Sequence, residues 1–180
     1  QAVRSETQVH PSAGQLVISL PARALSARTI EAALGRVAPH LNGSTGARRK
    51  RDGTALTQAD TDLEAIREWI AVKTGSVHTR RLYKREAHRF LLYMLACRGH
   101  QLADVSTADV KEYKEWLRQG LPGPGWPTRW KVFSGRGGLS DASRQVATNV
   151  LKGLYTYLCN AGYLTGNPFV VVGEAKTEAE

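Results

Sequence analysis

Apolar residues recur at helical spacing across nearly the whole stretch from Asp60 to Asn160, and that periodicity decides the fold class. The clearest case is Tyr83, Ala87, Phe90, Leu91, Met94 and Leu95, which lie at i, i+4, i+7, i+8, i+11 and i+12 on one helix face. The helix that carries them is expected from Ser76 to Cys97, closed by Gly99. A preceding helix spans about Asp60 to Lys73, with Leu63, Ile66 and Ile70 inward, Trp69 beside them and Gly75 at its end. A third runs from about Thr107 to Arg118. Ser106 and Asp109 form a capping box at its start, and Val110, Tyr113, Trp116 and Leu117 face inward. A fourth spans about Asp141 to Asn160 behind Ser140, with Val146, Val150, Leu151, Leu154, Tyr157 and Leu158 as its apolar stripe. Gly162 then sits where a left-handed residue belongs, and Asn167-Pro168 closes the unit. Val170 to Val172 is too short to call for a sheet. The expectation is an all-α, compact bundle of four to five helices.

Outside that pattern the chain reads as less ordered. Residues 1–56 are expected to be a flexible or partly helical N-terminal region with a basic linker, and residues 57–172 the helical domain. A helix is possible from Ser26 to Val37, where Ile30, Ala33, Leu34 and Val37 keep helical spacing and Pro39 supplies a stop. Small polar residues around Arg48-Arg49-Lys50-Arg51 read as a tether, with the basic run either solvated or touching phosphates. Between Gly120 and Gly138 a Gly- and Pro-rich loop holds Trp126, Trp130 and Phe133, whose rings are expected to dock it on the bundle.

The 180 residues carry 25 Lys and Arg against 16 Asp and Glu, a net charge of +9, which favours polyanionic partners. No apolar run approaches the ~20 residues of a membrane span, and the opening Gln-Ala-Val-Arg has no signal-peptide core. Cys97 and Cys159 are isolated in apolar patterns and read as buried free thiols in a reducing cytoplasm, with no companions for a zinc site. No small-molecule substrate, cofactor, metal or membrane partner is indicated.

Two helix faces can carry a function. On the second helix, Arg81, Lys84, Arg85 and His88 fall on one stripe about 120° from the apolar face. Like charges at this spacing repel, and a phosphate backbone would relieve them. On the fourth helix the polar face holds Asp141, Gln145, Thr148, Asn149, Lys152 and Thr156, with Arg144 at its edge. Gln, Asn and Arg are the side chains that pair with base edges in a major groove.

Three segments in order resemble a known family. Residues 76–94, Ser-Val-His-Thr-Arg-Arg-Leu-Tyr-Lys-Arg onward, are similar to the first long helix of the core-binding domain of tyrosine recombinases, the phage-integrase family. Residues 102–113 resemble the next loop and capped helix. Residues 139–168, with a Ser-x-x-Ser-Arg start and a Gly-Tyr-Leu-x-x-Asn-Pro end, resemble the last helix and its exit. The resemblance covers about residues 60 to 170. It implies a SAM-like domain that lies on one side of duplex DNA while a catalytic domain closes from the other, working with further recombinase protomers in a bacterial or phage setting. Residue by residue it implies DNA contacts at Thr79, Arg80, Tyr83 and Lys84, and at Ser140, Ser143, Arg144, Thr148 and Lys152. Tyr83 also lies on the apolar stripe and has a rival role in the core.

The family's chemistry needs a Tyr nucleophile, paired Arg residues on the scissile phosphate, and Lys and His groups. Those belong to a domain expected after Asn167-Pro168, and residues 173–180 read as a tail leading toward it. His78-Thr-Arg-Arg81 matches a His-x-x-Arg spacing but sits in the basic helix. The chain is therefore expected to hold DNA without cutting it. Two rivals remain. One is a helical protein-interaction module with Trp69, Trp116, Trp126 and Trp130 as an exposed hot spot. The other is a helix-turn-helix-like regulator, which the long loop before the fourth helix disfavours.

Overall fold

The computed structural model describes residues 27–73, 75–120 and 138–171. Within them the chain forms α1 (Ala27–Leu34), α2 (Asp62–Val72), α3 (Val77–Tyr93), α4 (Thr107–Gln119), α5 (Asp141–Asn160) and α6 (Pro168–Val171). Short 3-10 turns lie at Pro39–Leu41 and Leu102–Asp104, and α3 runs on into a π turn, Met94–Arg98. Among the described residues there is no strand, only an isolated bridge between Arg49 and Leu164. The readings of the first 26 residues, of the aromatic loop between Gly120 and Gly138 and of the final tail lie outside the described residues.

The long helices start where side chains satisfy their orphan amides. Thr61, Ser76 and Ser140 each accept from the amide three residues on, and Ser106 and Asp109 form a complete reciprocal capping box. Gly162, at φ 75°, is needed twice over. Its backbone is left-handed, and a Cβ there would meet the Ala55 Cα at 2.9 Å.

α3 is the central element. From Glu86 to Ala96 every residue is buried, with α1, α2 and α5 packed around it. Phe90 meets Tyr113 edge-on at 5.0 Å and lies 5.6 Å from Phe169; Tyr93 packs on Tyr113 and Trp116. Such ring pairs contribute roughly 0.5–1.5 kcal/mol each beyond simple burial. They join α3, α4 and α6, and Tyr155 adds α5 through its hydroxyl bond to the Leu102 carbonyl at 3.0 Å.

Contacts between elements set the polarity of the bundle. α2 starts beside Leu102, just past the end of α3, and its Trp69 stacks on Tyr83 near the start of α3. α4 starts beside the end of α3, where Arg98 holds Asp109, and finishes where the Leu139 amide bonds the Leu117 carbonyl. Leu102, past the end of α3, and Tyr163, past the end of α5, both bond Asp62, so these two long helices finish at one end of the bundle and start at the other.

Two expectations are corrected. The inward face of α5 is Ala147, Val150, Leu151, Leu154, Tyr155 and Leu158, whereas Val146 is 42 % exposed. Tyr157 sits at the margin with its hydroxyl on Glu68. The observed stripe is turned away from the expected one because Tyr155 finds a buried acceptor. Residues 42–56 are not a tether. Arg48 donates to the Val105 carbonyl, and Arg49 donates to the carbonyls of Gly43, Ala59 and Tyr163 and lies 3.6 Å from the Tyr163 ring centroid. The Ala47 amide bonds Asp104, and the Leu56 amide bonds the Ala161 carbonyl. A guanidinium fork satisfies several loop carbonyls at once, so the basic run is fastened to the bundle.

Candidate nucleic-acid interface

The first half of α3 stands proud of the core. Val77, His78, Arg80, Arg81 and Arg85 are exposed. The sequence has no Asp or Glu between Glu68 and Glu86. The first turns of α2, α4 and α5 each hold an acidic residue, and that of α3 holds none. Cations near a helix start face the positive end of its dipole, so this arrangement works against the free helix and favours an anion. Among the described residues neither Arg80 nor Arg81 has an ion-pair partner.

The remaining members of the expected stripe have partners or are covered. The Lys84 ammonium lies 2.9 Å from Glu31 Oε2, and Arg67 of α2 holds the other oxygen, Glu31 Oε1, at 3.0 Å. Lys84 first and Arg67 next hold the Glu31 carboxyl below its ordinary range. Arg85 reaches Glu86 at 3.3 Å, and Arg89 pairs with the same buried carboxylate. His88 is only 4 % exposed and does not join the stripe's solvent face. Burial, and then the charge on Lys84, push its pKa down to about 4, so it is neutral near pH 7. The stripe ends at Arg85 because α3 enters the core one turn later. Tyr83 is half-buried and stacks on Trp69 at 5.1 Å and 18°, which is its rival role. Thr79 is half-buried, with its amide on the Ser76 hydroxyl.

On α5, Ser140 caps the helix and donates to Ser143, which is exposed. Arg144 pairs with Asp141, and its Nε has no hydrogen-bond partner among the described residues. Gln145 donates to Asn149 at 3.0 Å, and both are exposed beside Val146. Thr148 is buried, contrary to expectation, because it adjoins Ala147 on the inward side. Lys152 is half-buried and already engaged. The exposed surface of α5 is thus Asp141, Ala142, Ser143, Gln145, Val146, Asn149, Thr156 and Asn160, uncharged beyond Asp141.

Sequence reasoning missed Arg67 and Glu31, which meet Lys84 only through the fold. Lys73 and His78, which it noted without counting as contacts, lie in the same acid-free run. Trp69 and Trp116 are buried, so they form no exposed hot spot; Trp126 and Trp130 lie outside the described residues. Among the described residues no group of side chains can hold a metal ion, and no helix is long and apolar enough to cross a membrane. Comparison with family models, curated proteins and solved structures finds no match to this chain.

Proposed function

We propose that this chain is a duplex-DNA-binding domain, the SAM-like core-binding module of a phage-integrase-type tyrosine recombinase, and that it holds DNA without cutting it. The carrying observation is the pair Arg80 and Arg81, at a helix start with no acidic residue and with no ion-pair partner among the described residues. Phosphate diesters supply the missing charge, and neutralising them releases counterions. The exposed amides of Gln145 and Asn149 suit base edges, and Val146 beside them suits a thymine methyl. Because α3 and α5 start at the same end of the bundle, phosphate contacts from one and base contacts from the other can act on one duplex. In this reading the contacts are Arg80, Arg81 and Arg85 on α3, and Ser143, Arg144, Gln145 and Asn149 on α5. His88 and Thr148 take no part.

The test is fluorescence anisotropy on labelled duplexes at several salt concentrations. Arg80→Ala with Arg81→Ala should weaken binding to every sequence and flatten the salt slope by roughly 0.9 for each phosphate no longer neutralised. Arg144→Ala should cost about 1–3 kcal/mol more on a selected site than on random duplex if it reads a base. Absence of duplex binding at low salt would overturn the proposal and return the protein-interaction reading. Nicking of a supercoiled plasmid, or a covalent adduct surviving denaturant, would overturn its non-catalytic part.

A further inference from the structure

The Glu31 carboxylate sits between two cations from different helices. Its Oε2 meets Lys84 Nζ at 2.9 Å, and its Oε1 meets Arg67 Nη2 at 3.0 Å and Nε at 3.2 Å. The two-nitrogen grip of a guanidinium on one side and an ammonium on the other is the donor set that binds a phosphate. Both cations stay open to solvent, with 42 % of the Lys84 side chain and 56 % of the Arg67 side chain exposed. A ligand can therefore reach them from outside.

The helix that brings Glu31 is short. α1 has eight residues, and its fully buried side chains in the described part are Ala33 and Leu34. An open groove of about 250 Å³ runs along its seam with the bundle, lined by Leu34, Leu63 and Leu91 and by the polar Asp62, Glu64 and Arg67. Water can therefore reach the seam beside Arg67.

We infer that Lys84 and Arg67 form a phosphodiester-binding site that the Glu31 carboxylate of α1 occupies in the free protein and yields to the DNA backbone. The inference rests on the DNA-binding reading and adds its regulation. Lys84 lies one turn beyond Arg80 and Arg81 on α3, so a duplex engaged by those arginines presents its next phosphates toward the site. The displaced Glu31 then repels the duplex, and α1 opposes binding until it moves away. Loss of this one carboxylate frees two cations together.

The experiment compares Glu31→Gln with Glu112→Gln, which removes an equal charge from the exposed side of α4. Binding of a random-sequence duplex is measured by anisotropy, alone and in the Lys84→Ala/Arg67→Ala background, with amide exchange of residues 30–34 followed with and without DNA. Glu31→Gln should bind roughly three- to tenfold tighter, the size of one or two exposed ion pairs. The control should gain less. The gain should vanish when Lys84 and Arg67 are both alanine, and DNA should speed exchange in α1 of the wild-type chain. An equal gain in both neutral variants, or a gain that survives loss of both cations, overturns the inference. Binding that depends on Arg80 and Arg81 but ignores Glu31 removes this inference alone. Absence of binding by wild type and Glu31→Gln alike removes the DNA-binding reading with it.

Discussion

Tyr163 donates its hydroxyl hydrogen to the Asp62 carboxylate across 2.6 Å in a fully enclosed site, joining residues 101 positions apart. The other Asp62 oxygen accepts from the Leu102 amide at 2.9 Å, and the Tyr163 hydroxyl also lies 3.1 Å from the Gly43 carbonyl. Arg49 covers the Tyr163 ring. One carboxyl thereby fastens the start of α2, the residue 42–50 segment, the turn after α3 and the chain beyond α5. Burial raises its pKa to about 6, against the opposing pull of Tyr163, Leu102 and Arg49.

Asp62→Asn is expected to stabilise the protein at neutral pH. A raised carboxyl pKa means the folded state keeps a proton that the unfolded chain releases, so this contribution is full below 3.8 and is lost as pH rises through about 6. The asparagine can accept from Leu102 and donate to the Tyr163 oxygen, whose own hydrogen then turns to Gly43. The difference between variant and wild type should grow with pH across that window, up to about 3 kcal/mol. Urea melts at several pH values measure it; a difference that shrinks as pH rises would contradict the assignment.

His88→Leu should remove a pH dependence of the opposite sign. The folded-state pKa of His88 is depressed from 6.5 to about 4, so its contribution is present above 6.5 and is lost as pH falls through about 4. The full loss amounts to about 3 kcal/mol. Between about pH 4 and 6 it offsets the Asp62 effect. With leucine in place the opposing contribution is gone, and stability should fall as pH rises between about 5 and 6, above the range where Glu31 and the other ion-paired carboxylates act. Thermal melts across the interval check this, and an unchanged profile would mean that His88 charges freely in the folded state.

Arg49→Lys should lower stability by roughly 2–3 kcal/mol, because an ammonium cannot reach the Gly43, Ala59 and Tyr163 carbonyls together or lie flat on a ring. The net charge is unchanged, so the salt slope of DNA binding should stay as it is. A weaker slope with an unchanged melting temperature would instead make Arg49 a phosphate contact.

Gly153→Ala separates folding from binding. Gly153 lies inside α5, and a Cβ there would meet nothing within 4 Å among the described residues. Alanine should stabilise the helix by roughly 0.5–1 kcal/mol. Gly153 follows Asn149 by one turn, so on the proposed DNA-facing surface the added methyl should also weaken duplex binding. A higher melting temperature with unaltered affinity would place the duplex nearer the start of α5.

The helices were largely legible because their signals are local. Ser106 with Asp109, Ser140, Gly99 and Gly162 act within a few residues of the boundaries they set. The errors arose where partners are distant. Nothing near Arg48 and Arg49 in sequence shows that their acceptors are Val105 and Tyr163. His88 keeps perfect spacing with Arg81, Lys84 and Arg85, yet helical spacing is blind to the depth at which a helix enters the core. Glu31, Lys84 and Arg67 illustrate the same limit, since their pairing spans 53 and 36 positions.

The bundle's polarity divides its labour. The network of Asp62, Tyr163, Arg49 and Asp109 lies at one end, and the residues proposed to meet DNA lie at the other. Among the described residues, the side chains of Arg80, Arg81, Ser143 and Gln145 make no hydrogen bond or ion pair to another helix. Substitutions there leave the core's packing as it is, so random change can accumulate at the recognition end without selection against unfolding. On the proposed DNA-binding reading, a lineage built on this scaffold can retarget itself by small steps, each of them foldable.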